Sequence, residues 1–230
     1  EVYLSIIQEQ EPDFSEQFCE GVSIDDLDNE AIEILKDKYA KKQKNPSFRS
    51  LENYQALSDL GLIFQGKVTN AAVILVGKKD IINSKYPQAK ISLEYRTGES
   101  NIHFDAREFF DGPYYIMIDK LWAAINSRNG SVPVRNGIYK DYDIPLFNED
   151  VIREALNNAI AHRAYDIQGE IVVKQYPTQM IFVNPGGFPH GVTIDNILYV
   201  QSTPRNRLLA DVLSRSEERR VGKECRSRWS

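Results

Sequence analysis

Three polar side chains in the last third of the chain, Glu154, Asn158 and His162, follow one another at intervals of four residues. On an α-helix that spacing stacks a carboxylate, an amide and an imidazole in one line. A carboxylate can orient a water or take its proton, an amide oxygen suits a hard cation such as Mg²⁺, and an imidazole changes charge near neutral pH. Beside this line, Val151, Ile152, Ala155, Leu156, Ala159 and Ile160 predict a broad buried face, and Asn148, Glu149 and Asp150 mark the helix start. A polar row at the edge of an apolar face needs partners, which a ligand, a metal or neighbouring backbone can supply.

A second group follows. Ile171-Val172-Val173 and Met180-Ile181-Phe182-Val183 predict two strands joined around Pro177-Thr178, and the second runs into Asn184-Pro185-Gly186-Gly187-Phe188-Pro189-His190-Gly191. Adjacent glycines permit positive φ and close backbone approach, so their amides can line a phosphate or a base edge; a tight turn makes the same demand. Further on, Arg205 suits either a phosphate or an acidic surface. His103, His162 and His190 are too dispersed to form a metal site, and Cys19 reads as structural.

These groups need a scaffold. Val2 to Ile7 reads as a strand already in progress and Gln8 to Gln17 as an acidic connector. Asp28 caps an expected helix with Ala31, Ile32, Leu35 and Tyr39 on its inner side, closed by the lysines before Pro46. Ser50 is expected to cap a second helix through Leu51, Tyr54, Leu57 and Leu60, stopped by Gly61. The run Ala71 to Val76 is apolar throughout and predicts a buried strand. Ile91, Leu93 and Tyr95 alternate with polar residues, the period of a half-buried strand. Arg107 to Ser127 predicts a long helix, and Ser131 to Ile144 a strand-and-turn connector. Mixed helices and strands indicate an α+β fold, an α/β sandwich.

Composition narrows the function classes. The 230 residues are 42% hydrophobic, enough for a sizeable core, and contain no apolar stretch long enough to span a membrane. Two cysteines exclude a disulfide framework or a cysteine-based zinc site and suit a cytoplasmic protein. A net charge of −5 argues against coating nucleic acid by bulk electrostatics alone. A P-loop is missing as well, since Val76-Gly77-Lys78-Lys79 lacks the upstream glycine and the hydroxyl residue, so the chain is not a P-loop helicase.

Residues 215–230, from Arg215-Ser216-Glu217-Glu218-Arg219 to Trp229-Ser230, resemble the in-frame translation of a common sequencing adapter, and are expected to be non-native. Without them the chain has 22 basic and 30 acidic residues, a net charge of −8. The start at Glu1 is expected to reflect a lost upstream segment.

The helix from Glu154 through Asn158 to His162-Arg163-Ala164-Tyr165, the strand pair, Asn184-Pro185-Gly186-Gly187, and then Ser202-Thr203-Pro204-Arg205-Asn206 with Leu208-Leu209-Ala210 together resemble one family. It is the ATP-binding transcriptional regulators with a Schlafen/AlbA-type N-terminal DNA-binding domain and a RecG-related C-terminal domain similar to the GHKL (Bergerat) ATPase fold. Ala56-Leu57, Leu60-Gly61-Leu62, Thr69-Asn70-Ala71 and Gly77-Lys78 extend the resemblance upstream. It implies four segments: a remnant of the upstream domain and connector (1–19), a mixed α/β middle region (20–130), a truncated and degenerate GHKL-like domain (131–214), and the tail (215–230). It also implies ATP and Mg²⁺ as cofactors, with Glu154 as general base, Asn158 as Mg²⁺ ligand, and His162, Asn184, Gly186, Gly187, Arg205 and Asn206 around the nucleotide. Two departures stand out. The superfamily's Asp-x-Gly-x-Gly box reads Val183-Asn184-Pro185-Gly186-Gly187 here, leaving an amide where a carboxylate reads adenine. The glycine-rich phosphate loop is not recognisable before Asn206.

The leading expectation is a nucleotide-sensing regulator that meets DNA through the missing N-terminal domain, with a second copy of the chain as a further partner. An active ATPase using Glu154 and a nucleotide-free interaction scaffold are the alternatives. A winged-helix reader around Leu60-Gly61-Leu62 is a weaker one, given its few basic residues.

Overall fold

A computed structural model describes residues 12–98, 103–135, 141–187, 199 and 204–217. Helix α1 (Asn29–Gln43) starts where the Asp28 carboxylate accepts a hydrogen bond from the Ala31 N–H and ends at Lys44 in a left-handed conformation. A 3₁₀ turn over Pro46–Ser50 follows, and then α2 (Asn53–Asp59). Ser50 therefore ends the turn and caps nothing, because Pro46 starts a tighter helix four residues before the expected cap. A short antiparallel hairpin, β1 (Ile63–Phe64) and β2 (Lys67–Val68), leads to α3 (Asn70–Val76).

Helix α3 corrects the strand expected over Ala71 to Val76. Its residues are all buried, and a helix enclosed on every side shows the same unbroken apolar run as a central strand. The Thr69 hydroxyl decides for the helix by accepting from the Ala72 N–H at 3.2 Å.

Next come α4 (Lys79–Lys85), β3 (Ile91–Tyr95), β4 (Ala106–Phe110) and α5 (Tyr114–Asn126). The helix expected from Arg107 thus begins only after Pro113; before it, Arg107 belongs to a strand paired with β3. Strands β5 (Ser131–Arg135) and β6 (Asp141–Pro145) form a hairpin in the expected connector. Helix α6 (Glu149–His162), β7 (Ile171–Gln175), β8 (Met180–Val183) and α7 (Arg207–Ser216) complete the described elements.

The main sheet has the order β4-β3-β7-β8, with β3 and β7 parallel and both outer pairs antiparallel. Ile91, Leu93, Ile171 and Val173 share one face and join the helices in a continuous core that runs from Cys19 to Leu213. Such one-sided helical cover of a mixed sheet is the α+β sandwich indicated by the sequence. On the opposite face Ser92 and Glu94 are buried too, because Arg96 and Arg107 fold over Glu94. That is why β3 is more enclosed than its alternation implies. Among the described residues no helix is long and apolar enough to cross a membrane.

The expected strand over Val2 to Ile7, His190 with its neighbours, Ser202-Thr203, and the tail beyond Glu217 lie outside the described residues. Arg215 and Ser216 end α7, with Glu217 as its C-cap.

Candidate functional site

Helix α6 is set in place from both ends. At its start the Asn148 amide oxygen accepts from the Asp150 N–H at 2.9 Å, and Asn129 brackets the Phe147 backbone with two bonds. Arg153 ties the first turn to α5 by pairing with Asp119 at 2.7 Å as well as with Glu149. Ile152, Leu156, Ala159 and Ile160 face the core as expected, but Val151 is 58% exposed and Ala155 only half-buried. Asn157, which the apolar pattern passed over, takes a core position because the buried Tyr114 hydroxyl donates to its Oδ1. That satisfaction is what permits an amide there.

Along the line of three, Glu154 is half-buried, Asn158 exposed and His162 half-buried. Among the described residues no hydrogen bond or ion pair engages the Glu154 carboxylate or the Asn158 amide. Burial and the positive field of Arg205 together push the His162 imidazole below its ordinary pKa, which favours its neutral form.

The polar groups converge at the far end of α6. Asn184 donates from Nδ2 to the Ala159 carbonyl at 2.8 Å, and Pro185 accepts from the Ala164 N–H at 3.3 Å. Asn206 donates from its backbone and from Nδ2 to the Ala161 carbonyl, and from Nδ2 again to that of Arg163. These bonds satisfy carbonyls that a helix C-terminus otherwise leaves open. Gly186 adopts φ +116°, and a Cβ there would stand 2.9 Å from Ala164 Cβ and 3.3 Å from Arg205 Nη1. Only glycine fits. A Cβ at Gly187 would meet nothing within 4 Å, and the Gly187 carbonyl accepts from Arg205 at 3.3 Å.

The structure therefore brings His162, Asn184, Gly186, Gly187, Arg205 and Asn206 together around the end of α6, with Asn158 and Glu154 one and two turns back along the helix. Several atoms here are buried without a partner among the described residues: Asn184 Oδ1, Asn206 Oδ1, Arg205 Nε, and Nε and Nη1 of Arg163. Arg163 is 1% exposed, donates to the Ile167 and Gly169 carbonyls, and lies 5.3 Å from the Tyr165 ring centroid. It braces the turn after α6, a role its position after the polar line did not signal. Such donors and acceptors on a glycine-lined bend are of the kind that a polar ligand can satisfy.

Comparison with known proteins covers part of this region. Residues 168–224 match the family described as "Putative ATP-dependent DNA helicase recG C-terminal". The chain carries a RecG-related, ATPase-like region. This match begins after α6, so Asn184, Gly186, Gly187, Arg205 and Asn206 fall inside it while Glu154, Asn158 and His162 precede it. Residues 4–92 match a domain of unknown function, DUF8451. Among solved structures, the DIP2311 protein from Corynebacterium diphtheriae superposes with a TM-score of 0.73 at 22% identity over 88% of this chain, which shows a shared fold. The chain spans 39% of that protein's length. No curated protein matches the chain.

Proposed function

We propose that the end of α6, the Asn184-to-Gly187 bend and Arg205-Asn206 bind an adenine nucleotide through its 6-amino group, ATP with Mg²⁺, and that the domain serves as the nucleotide-sensing part of a DNA-associated transcriptional regulator. One observation carries the reading. The Asn184 amide has its orientation fixed by the 2.8 Å bond from Nδ2 to Ala159, which leaves Oδ1 buried, able only to accept, and without a partner among the described residues. A buried acceptor of that kind facing the 6-position of a purine selects adenine, which carries an amino group there, over guanine, which carries a carbonyl oxygen.

The remaining residues fit the rest of such a ligand. Arg205, whose buried Nε has no partner among the described residues, and the open Gly187 backbone suit phosphate oxygens. The Asn158 amide would hold Mg²⁺, which would neutralise phosphate charge when bound. Its exposure leaves room for the waters that Mg²⁺ retains. The half-buried Glu154 carboxylate one turn away, without a hydrogen bond among the described residues, favours hydrolysis as a second reading, with Glu154 orienting water. Contact with DNA is assigned to segments upstream, since residues 1–214 carry a net charge of −8.

Titration of a fluorescent ATP analogue with Mg²⁺, displaced by ATP or by GTP, tests this. Saturable binding is expected, displaced at least about tenfold more effectively by ATP, a margin in the range that mismatched buried hydrogen bonds impose. Asn184→Leu, similar in size but without the acceptor, should remove that preference. Absence of saturation up to millimolar nucleotide would leave the scaffold reading alone.

A further inference from the structure

The first described residues of the chain bear on this site through α7. Asp13 has a fully buried side chain, and its carboxylate accepts from the Ser15 N–H at 2.8 Å, the Ser15 hydroxyl at 2.7 Å and the Leu208 N–H at 3.0 Å. Ser15 Oγ in turn accepts from the Leu209 N–H at 3.3 Å. Helix α7 makes no side-chain cap of its own, because the residue in the capping position, Asn206, is turned toward α6. Its start is instead capped from a part of the sequence 195 residues away, by a carboxylate that the helix dipole favours.

The same segment reaches α6 from the other side. The Phe14 ring stacks on Tyr165, centroids 5.0 Å apart and planes 13° apart, and Tyr165 lies under the Arg163 guanidinium. Asn70 fixes the Phe14 carbonyl at 2.9 Å. The contacts close a ring: Asp13 and Ser15 to the start of α7, Asn206 and Arg205 to the end of α6 and the glycine bend, Tyr165 back to Phe14.

We infer that residues 13–15 form a latch that couples occupancy of the nucleotide site to the position of the chain preceding it; the inference rests on the nucleotide reading above. With the latch docked, the first turn of α7 is capped, and Arg205 and Asn206 are held at the bend. With it undocked, Leu208 and Leu209 lose their acceptors and the turn that presents Arg205 and Asn206 frays. A ligand that needs those two residues in place binds the docked state better, and by linkage it tightens the latch by the same factor. Whatever segment lies upstream then receives a fixed or a freed tether according to nucleotide.

Hydrogen exchange of the whole chain with and without Mg²⁺-ATP, together with the affinity of Asp13→Ala, tests the coupling. Bound nucleotide is expected to slow exchange in the peptide covering residues 13–19 and at Leu208 and Leu209, as well as at the bend. Asp13→Ala is expected to weaken nucleotide about fivefold or more, the lower end of ordinary coupling. Phe14→Leu, which keeps the cap and loosens the stacking on Tyr165, gives a milder loss in a chain that stays folded. Nucleotide that binds without changing exchange at residues 13–19, with Asp13→Ala within twofold of the parent, would overturn the latch and leave the nucleotide reading standing. No binding to the unaltered chain would remove both.

Discussion

Asn206 holds the carbonyl of Ala161 with two bonds, one from its backbone N–H at 2.9 Å and one from Nδ2 at 3.0 Å, while Nδ2 also reaches Arg163 at 2.8 Å. The start of α7 is thereby fastened to the end of α6 by a side chain whose only donors face two carbonyls. Asn206→Asp places a carboxylate against those oxygens and is expected to cost at least about 2 kcal/mol of stability, more than Asn206→Ala. Urea denaturation of the two variants checks the order; an Asp variant as stable as the parent would mean that the amide is not oriented as described.

The two glycines of the bend are not equivalent. Gly186→Ala combines a φ of +116° with a Cβ 2.9 Å from Ala164 Cβ, and is expected to lose about 2 kcal/mol or more. Gly187→Ala meets nothing within 4 Å and is expected to leave the melting temperature within a few degrees. If that position contacts phosphate, the same variant weakens nucleotide while the fold is unchanged. Equal melting temperatures for both variants would contradict the geometry.

Much of this site is legible in the residues alone, and the gaps have physical causes. The helix carrying the polar line, the strand pair and the glycine bend are local signals, carried by spacing and turn chemistry, and the structure forms all three, though Asn158 in that line is exposed. Asn157, Arg163 and Asp13 give no such signal because their burial depends on partners distant in sequence or on a turn without periodicity: Tyr114, the Ile167–Gly169 turn and Leu208. The run Ala71 to Val76 misleads for the opposite reason. Its pattern carries no period, and only the Thr69 cap and enclosure by other helices select a helix. The strand at Arg107 is absorbed into an overlong helix, because Phe109 and Phe110 look helical until Gly112, at φ +112°, and Pro113 turn the chain.

The buried pair of Tyr114 and Asn157 links α5 to α6 and is expected to behave as a unit. Tyr114→Phe removes the donor and strands the Asn157 oxygen in the core, at a cost of about 1–3 kcal/mol. Adding Asn157→Leu to that variant removes the unpaired group and should recover part of the loss, which a double-mutant cycle measures. Additive losses from the two substitutions would show that they do not interact.

His162 gives the site a pH signature. Burial and Arg205 lower its folded pKa below the ordinary 6.5, so between the two values the unfolded chain binds more protons than the folded one. Stability contributed by the neutral imidazole is thus complete above about pH 6.5 and declines as pH falls through that value, levelling off below the folded pKa. Carboxylates add their own acid sensitivity, so the informative quantity is the difference between the parent chain and His162→Gln. That difference should shift in favour of the variant between about pH 7.5 and about pH 5.5, a window that brackets the ordinary imidazole value, read by urea denaturation at each pH. A constant difference would place the imidazole in contact with solvent.

Glu154 and Asn158 separate holding a nucleotide from cleaving it. Among the described residues neither side chain has a hydrogen bond or ion pair to lose, so substitutions there are expected to leave stability nearly unchanged and report on the ligand directly. Asn158→Ala removes an oxygen suited to Mg²⁺, and should weaken nucleotide about tenfold with Mg²⁺ present and little when EDTA removes it, since the amide has no other task in the site. Glu154→Gln keeps the shape and discards the base, so affinity should stay within about twofold while any turnover of ATP falls by about a hundredfold or more, the usual weight of a positioned base. An Asn158→Ala loss that is equal with and without the metal would remove Asn158 from the cation, and turnover that survives Glu154→Gln would remove the carboxylate from the chemistry.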